Sequence, residues 1–176
     1  MKINILRINQ ENEITEYDVD DSSNTALDAL NYIKENIDES ISFRSGCKSG
    51  ICGSCSILIN DKEALACKCK INDNDILKPI KYTKVIKDLV VDLNHINKLL
   101  KESKTYITEY SNKDINKDNV KLIDTQSNCI LCQSCYSSCP AYEVNKEFKG
   151  PYTLTREFRY INDAKESNIS EKLKLI

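Results

Sequence analysis

Along residues 3–8, Ile-Asn-Ile-Leu-Arg-Ile, and 14–19, Ile-Thr-Glu-Tyr-Asp-Val, apolar and polar positions alternate closely enough to predict two strands. The polar QENE between them predicts a hairpin connection. DDSSNT then offers helix-capping side chains, with Thr25 followed three positions later by Asp28. Leu27, Leu30, Ile33 and Ile37 recur at helical spacing, which predicts an amphipathic helix over 26–37. The apolar run Ser56–Ile59 predicts a strand, Asn60-Asp61-Lys62 a turn, and Ala64–Cys67 a returning strand. Strand, strand, helix, Cys-rich loop, strand, strand is the order of an α+β unit with one helix laid on a small sheet.

Beyond Pro79 the pattern changes. Ile86, Leu89, Leu93, Ile96 and Leu100 keep a helical period, which predicts a helix over 85–101. The polar stretch Ser111–Asn119 reads as a connecting loop, and Gly150-Pro151 as a breaker. Leu154, Phe158 and Ile161 predict a further helix over about 153–165. The second half therefore reads as all-helical. The chain divides into a mixed domain, residues 1–100, and a helical domain, residues 101–176.

Composition narrows the classes. Hydrophobic residues make up 40% and charged residues 30% of the 176 residues, which suits a soluble globular protein. Lys plus Arg is 25 and Asp plus Glu 27, a net charge of −2, so the basic surplus of a nucleic-acid binder is missing. No apolar run approaches the roughly 20 residues that span a bilayer. The start, MKINILRIN, has neither a signal-peptide apolar region nor a transit-peptide composition, so a mature intracellular chain is expected.

The nine cysteines change the picture most. Their number is odd and the expected compartment is reducing, so metal ligation is the favoured reading over a disulfide framework. They form two groups: Cys47, Cys52, Cys55, Cys67 and Cys69, then Cys129, Cys132, Cys135 and Cys139. Cys47, Cys52 and Cys55 have the spacing C-x4-C-x2-C, and Cys67 follows after eleven residues, the plant-type [2Fe–2S] pattern. Such a loop points backbone N–H groups at the cluster sulfurs, and so close an approach favours residues without a Cβ. Gly46, Gly50 and Gly53, three of only four glycines, lie inside it. A tetrahedral zinc site is the competing use of four cysteines, although zinc ribbons prefer two C-x2-C knuckles. Cys69 reads as a non-ligand packed beside the site. Cys129, Cys132, Cys135 and Cys139 with Pro140 give C-x2-C-x2-C-x3-C-P, the bacterial-ferredoxin run in which three cysteines bind one cubane and the fourth serves a neighbouring cluster. Zinc is again the alternative. His95, the single histidine, sits among helical residues and reads as a packed or exposed side chain, not a ligand.

Taken in order, RSGCKSGICGSC (Arg44–Cys55), LAC (Leu65–Cys67), VIKDLVVDL (Val85–Leu93), CILCQSCYSSCP (Cys129–Pro140) and GPYTLTREFRYIND (Gly150–Asp163) closely resemble the iron–sulfur subunit of succinate dehydrogenase and fumarate reductase. The resemblance runs over almost the whole chain. It implies an N-terminal β-grasp [2Fe–2S] ferredoxin-like domain followed by an all-helical bacterial-ferredoxin-like domain. It also implies that Cys47, Cys52, Cys55 and Cys67 hold a [2Fe–2S] cluster, Cys129, Cys132 and Cys135 a [4Fe–4S] cluster, and Cys139 a [3Fe–4S] cluster. The implied function is an electron conduit between the FAD of a flavoprotein subunit and quinone in a membrane anchor subunit. Dicarboxylate chemistry is then expected in the flavoprotein, and no catalytic residue here. The chain would lie on the inner face of the cell membrane, or on the matrix side of a mitochondrion, through its partners.

There are two departures from the family. Its members continue with a second Cys-rich segment that completes the [4Fe–4S] and [3Fe–4S] sites, whereas this chain ends before it. A truncated chain is the expected reading, with a split gene or a short form as the alternatives. Many members also carry tryptophan after the Cys-Pro, where this sequence has Ala141, Tyr142, Glu143 and Val144, so no quinone-site residue transfers. From other functional classes, a free-standing soluble electron carrier and a structural zinc module stay open.

Overall fold

The computed structural model describes residues 1–8 and 12–175. These residues form two compact units, Met1–Asp92 with Ile130–Ser138, and Leu93–Cys129 with the segment that begins at Cys139.

In the first unit, β1 (Lys2–Ile8) and β2 (Asn12–Asp18) pair antiparallel, with Ile5 opposite Thr15. The connection expected from QENE falls largely on residues 9–11, outside the described residues. Helix α1 (Ala26–Asn36) begins at a capping box: Thr25 accepts from the Asp28 N–H while Asp28 accepts from the Thr25 N–H. β3 (Ser56–Ile59) and β4 (Lys62–Leu65) form a hairpin whose two turn residues, Asn60 and Asp61, both have positive φ (50° and 63°). That is the type I′ geometry that Asn and Asp tolerate. β5 (Asp75–Lys78), a strand the pattern does not predict, completes a sheet of order β2-β1-β5-β3-β4. β1 and β5 are parallel, so the chain must cross over between them, and α1 lies in that crossover. Ile3, Ile5, Leu77, Leu30 and Ile33 are fully buried in the core between sheet and helix. This is the mixed sheet with helix expected of an α+β unit.

β1 alternates, so Ile3, Ile5 and Arg7 share one face and Arg7 enters the core edge with its charge. Its Nε donates to Asp88 Oδ1 (2.9 Å), its NH2 to Ser40 Oγ (2.9 Å), and its NH1 to Tyr17 Oη and Asp38 Oδ2. Burial works against the guanidinium charge, but Asp88, Asp38 and Tyr17 hold its pKa well above the usual arginine value. Ser40, Tyr17 and Arg7 in turn hold the Asp38 carboxyl well below the usual carboxylate range. Asp88 is fully buried and also accepts from the Ser42 N–H (2.9 Å) and the Ile8 N–H (3.2 Å).

This network overturns the helix predicted over 85–101. Val85–Lys87 (β6) and Val90–Val91 (β7) form a short antiparallel hairpin, with Asp88 at φ 46° in the turn, and the helix α2 covers only Asn94–Glu102. Leu89 is buried in the first unit's core, while Ile86 is 60% exposed. Tertiary pairing of Asp88 with Arg7 outweighs the local helical period.

From residue 93 onward the named elements are helical. α3 (Lys117–Ser127) starts inside the stretch read as a loop, with Asn116 and Asn119 forming its capping box. α4 (Ser134–Ser137) belongs to the first unit and α5 (Pro140–Val144) to the second. α6 spans Gly150–Ile161, so Gly150-Pro151 opens the helix instead of breaking the chain. Proline is tolerated in a first turn, where its missing N–H has no partner to lose. α7 covers Ile169–Leu173.

The second unit has few buried apolar side chains, among them Ile96, Leu99, Tyr142 and Tyr152, and a buried ion pair. Glu166 accepts from Thr108 N (2.8 Å), Asn168 N (2.9 Å), Glu109 N (3.2 Å) and Lys172 Nζ (3.0 Å). Lys172 Nζ also donates to the carbonyl of Lys104 (2.7 Å).

Two outcomes are expected. Arg7→Met leaves the Asp88 carboxylate buried without a counter-charge, so urea unfolding of the first unit should show a loss of about 3–5 kcal/mol; a loss comparable to an exposed ion pair would contradict the network's role. Burial pushes the Glu166 carboxyl up, but the N–H groups of Thr108 and Asn168 and the Lys172 ammonium hold it at about 2 against the usual 4.5. A carboxyl with a depressed folded pKa stabilises fully above its unfolded value, so this contribution is lost as pH falls from about 4.5 towards 2. Hydrogen-exchange protection of the Thr108 and Asn168 amides, taken relative to the intrinsic rate at each pH, should fall over that window, and Glu166→Gln should flatten the response.

Candidate metal centre

The first cysteine loop leaves the Arg7 network directly. Asp38 and Ser40 bind Arg7, Ser42 binds Asp88, and the Arg44 guanidinium donates to the Val91 carbonyl (3.1 Å). The loop's entry is thereby anchored before Cys47 is reached.

Around Cys47 the backbone turns inward, with Lys48 and Gly50 at positive φ (56° and 75°). The N–H groups of Ser49 (3.4 Å), Ile51 (3.2 Å) and Cys52 (3.3 Å) converge on Cys47 Sγ, and the Cys47 N–H donates to Cys52 Sγ (3.4 Å). The Ser54 hydroxyl lies 3.0 Å from Cys52 Sγ. Convergent amide dipoles favour the anionic form of sulfur. The N–H groups of Ser49, Ile51 and Cys52 lower the Cys47 pKa, and the Cys47 N–H with Ser54 brings Cys52 down to about 6.

Cys55 and Cys67 are presented differently. They flank the β3–β4 hairpin, where the Ala66 N–H donates to the Cys55 carbonyl (3.0 Å). The N-terminus of α1 fixes the returning strand through Leu27 N–H to the Ala66 carbonyl (2.9 Å). Both thiols are buried, and burial pushes the Cys55 pKa up. The loop thus offers two exposed sulfurs stabilised by amides and two buried ones. Cys69 is half-buried against the core, and its carbonyl accepts from Ala26 N–H (3.0 Å).

The donor set fits an iron–sulfur cluster on two observations. Gly46 has no room for a side chain, since a Cβ there would lie 2.9 Å from Cys52 Sγ. The amides reach sulfur at the same place. Among the described residues no three Cys, His, Asp or Glu side chains surround a single metal-ion position. The other loop glycines answer different needs from the sulfur approach expected of them: Gly50 makes way for the Lys68 stem and Gly53 for residues 130–132.

In the second group, Cys132 sits between Leu131 (φ 55°) and Gln133 (φ 67°), and Cys135 lies in α4. Cys139 caps α5, its Sγ accepting from the Tyr142 N–H (3.4 Å). Cys132 and Cys135 belong to the first unit, Cys129 and Cys139 to the second. His95 is structural: Nε2 meets the Lys146 carbonyl at 2.8 Å and the ring stacks on Tyr142. Sequence reasoning missed Ser54, whose hydroxyl reaches Cys52 Sγ, and Lys68, whose stem covers Gly50; a serine inside C-x2-C was the one available signal.

Residues 2–98 match the family described as 2Fe-2S iron-sulfur cluster binding domain. The chain is 32% identical to the fumarate reductase iron-sulfur subunit of Haemophilus influenzae, an alignment covering 100% of this chain and 78% of that one. It is 40% identical to a mitochondrial succinate dehydrogenase [ubiquinone] iron-sulfur subunit of Arabidopsis thaliana, over 85% of this chain and 52% of that one. Among solved structures, the Mycobacterium smegmatis Sdh1 complex contains a chain of the same fold, with TM-score 0.83 at 20% identity over 98% of this chain and 79% of that one.

In the metal-free reduced protein, iodoacetamide should label Cys52 with a half-maximal rate near pH 6, rising with pH as the thiolate forms, while Cys55 resists. Mass spectrometry of the labelled peptides checks the order; equal labelling of the two would contradict it.

Proposed function

The chain belongs to the family of iron–sulfur subunits of succinate dehydrogenase and fumarate reductase, and on that premise we propose that it relays electrons between the FAD of a flavoprotein subunit and membrane quinone. The observation that carries this reading is the convergence of three backbone N–H groups on Cys47 Sγ beside Gly46, a cradle shaped for anionic sulfur. Cys47, Cys52, Cys55 and Cys67 would hold a [2Fe–2S] cluster in a β-grasp ferredoxin domain, residues 1–100. Cys129, Cys132 and Cys135 would hold a [4Fe–4S] cluster and Cys139 a [3Fe–4S] cluster, once the remaining ligands of those clusters are supplied.

When bound, such clusters supply one-electron redox chemistry. The chain's own residues position them and set their surroundings. The amides of Ser49, Ile51 and Cys52 lower the free energy of added negative charge at Cys47, which raises the potential of the site. Buried Cys55 and Cys67 keep water from one side, and exposed Cys47 and Cys52 bring the other within reach of a donor. Succinate and fumarate would be handled in the flavoprotein. No described helix is long and apolar enough to cross a membrane, so attachment to the inner face of the cell membrane, or to the matrix side in a mitochondrion, would come through an anchor subunit.

Anaerobic reconstitution should give a plant-type [2Fe–2S] EPR signal that disappears in Cys52→Ser, and the chain should co-purify with a large FAD-containing subunit. Stoichiometric zinc without iron would overturn the reading. Full clusters with no flavoprotein partner would make the chain a free-standing carrier.

A further inference from the structure

We propose that Gly53 is the contact through which an electron passes between the two cysteine loops, an inference that rests on reading both loops as cluster ligands. Gly53 is buried, lies between Cys52 and Cys55, and has φ +69°. A Cβ added there would lie 2.6 Å from the Ile130 carbonyl oxygen, 2.9 Å from Cys132 Cα and 3.0 Å from Cys132 Cβ. Those neighbours are main chain or the root of a candidate ligand, so none can swing aside. The backbone of the first loop therefore meets the second with no side chain between them.

The other glycines of the loop do not serve this purpose. Gly46 faces Cys52 and Ser54 in its own loop, and Gly50 faces the flexible stem of Lys68. Across the contact, Leu131 and Gln133 both hold left-handed backbone without being glycine (φ 55° and 67°), a strained arrangement that presents Cys132 towards Gly53. A connection thus runs from Cys52 through the adjoining Gly53 peptide and one van der Waals contact to Cys132. The step moves a single electron: the [2Fe–2S] side is oxidised by one equivalent, the [4Fe–4S] side reduced by one, and no bond or proton changes. Transfer through a non-bonded gap weakens steeply as the gap widens, so a side chain at Gly53 acts on the rate by separating the loops.

Conformation and space are separable, because asparagine accepts left-handed backbone yet carries a Cβ. The test uses the cluster-loaded chain with its partner subunits. It reads the EPR signal of each cluster, the magnetic broadening of the [2Fe–2S] signal when the second cluster is reduced, and the rate of electron arrival at the second cluster after rapid reduction of the first. Gly53→Asn should keep the [2Fe–2S] signal, diminish the broadening and slow arrival several-fold. Gly50→Asn, which meets only the Lys68 stem, should leave broadening and rate unchanged. Unchanged coupling and rate in Gly53→Asn, or the same loss in Gly50→Asn, overturns the proposal. Should Gly53→Asn fail to load, the wild-type protein decides: broadening supports the contact, and two reduced clusters without broadening overturn it. A wild-type protein with no second cluster signal instead refutes the reading of Cys129, Cys132, Cys135 and Cys139.

Discussion

A guanidinium on the core face of a strand must be met by acceptors wherever the chain can supply them, and Arg7 recruits four of them from three places. Tyr17 comes from the neighbouring strand, Asp38 and Ser40 from the segment after α1, and Asp88 from the β6–β7 turn. None of these is local to β1 in sequence, so satisfying one side chain ties the sheet, the helix exit and the approach to Cys47 into one body. An unpaired charge at this depth would cost several kcal/mol, which makes the network a strong constraint on how the first unit closes. Ser42, two residues before Arg44, is held by the same Asp88. The cysteine loop thus inherits its starting position from an ion-pair network that contains no cysteine.

The four thiols of that loop are held by two kinds of structure. Cys47 and Cys52 rely on a tight turn whose amides point inward, while Cys55 and Cys67 rely on hairpin register and on the N-terminus of α1. The first arrangement stabilises charge on exposed sulfur, and the second withholds solvent from buried sulfur. A cluster spanning both would sit in a graded environment, with amide dipoles on its open side and hydrocarbon behind it.

Much of this was legible in the residues. The β1–β2 and β3–β4 strands, the Thr25 cap of α1 and the cysteine spacings follow from alternation, capping chemistry and ligand geometry. The rest depended on contacts distant in sequence. β5 is only four residues long, too short for its alternation to stand out although Asn72-Asp73-Asn74 and Pro79 bound it, and its place is fixed by pairing with β1 and β3. Residues 85–93 carry a helical period but fold as a hairpin, since Asp88 is needed at Arg7. α3 escaped because no residue on it is buried, so its hydrophobic pattern says little and its capping asparagines look like loop. The Glu166–Lys172 pair left no signal, because two charged residues in a polar stretch look alike whether exposed or enclosed.

That absence of buried residues on α3 has a consequence for how the second unit comes apart. A helix held by its cap and by half-buried Asn119, Ile123 and Gln126 has little packing to lose when it melts. Its opening free energy therefore lies far below that of the Glu166–Lys172 region, and α3 forms a separate, shallow cooperative unit within the domain. Its melting costs the rest of the helical unit little, so it offers a protease backbone before the Glu166–Lys172 region opens.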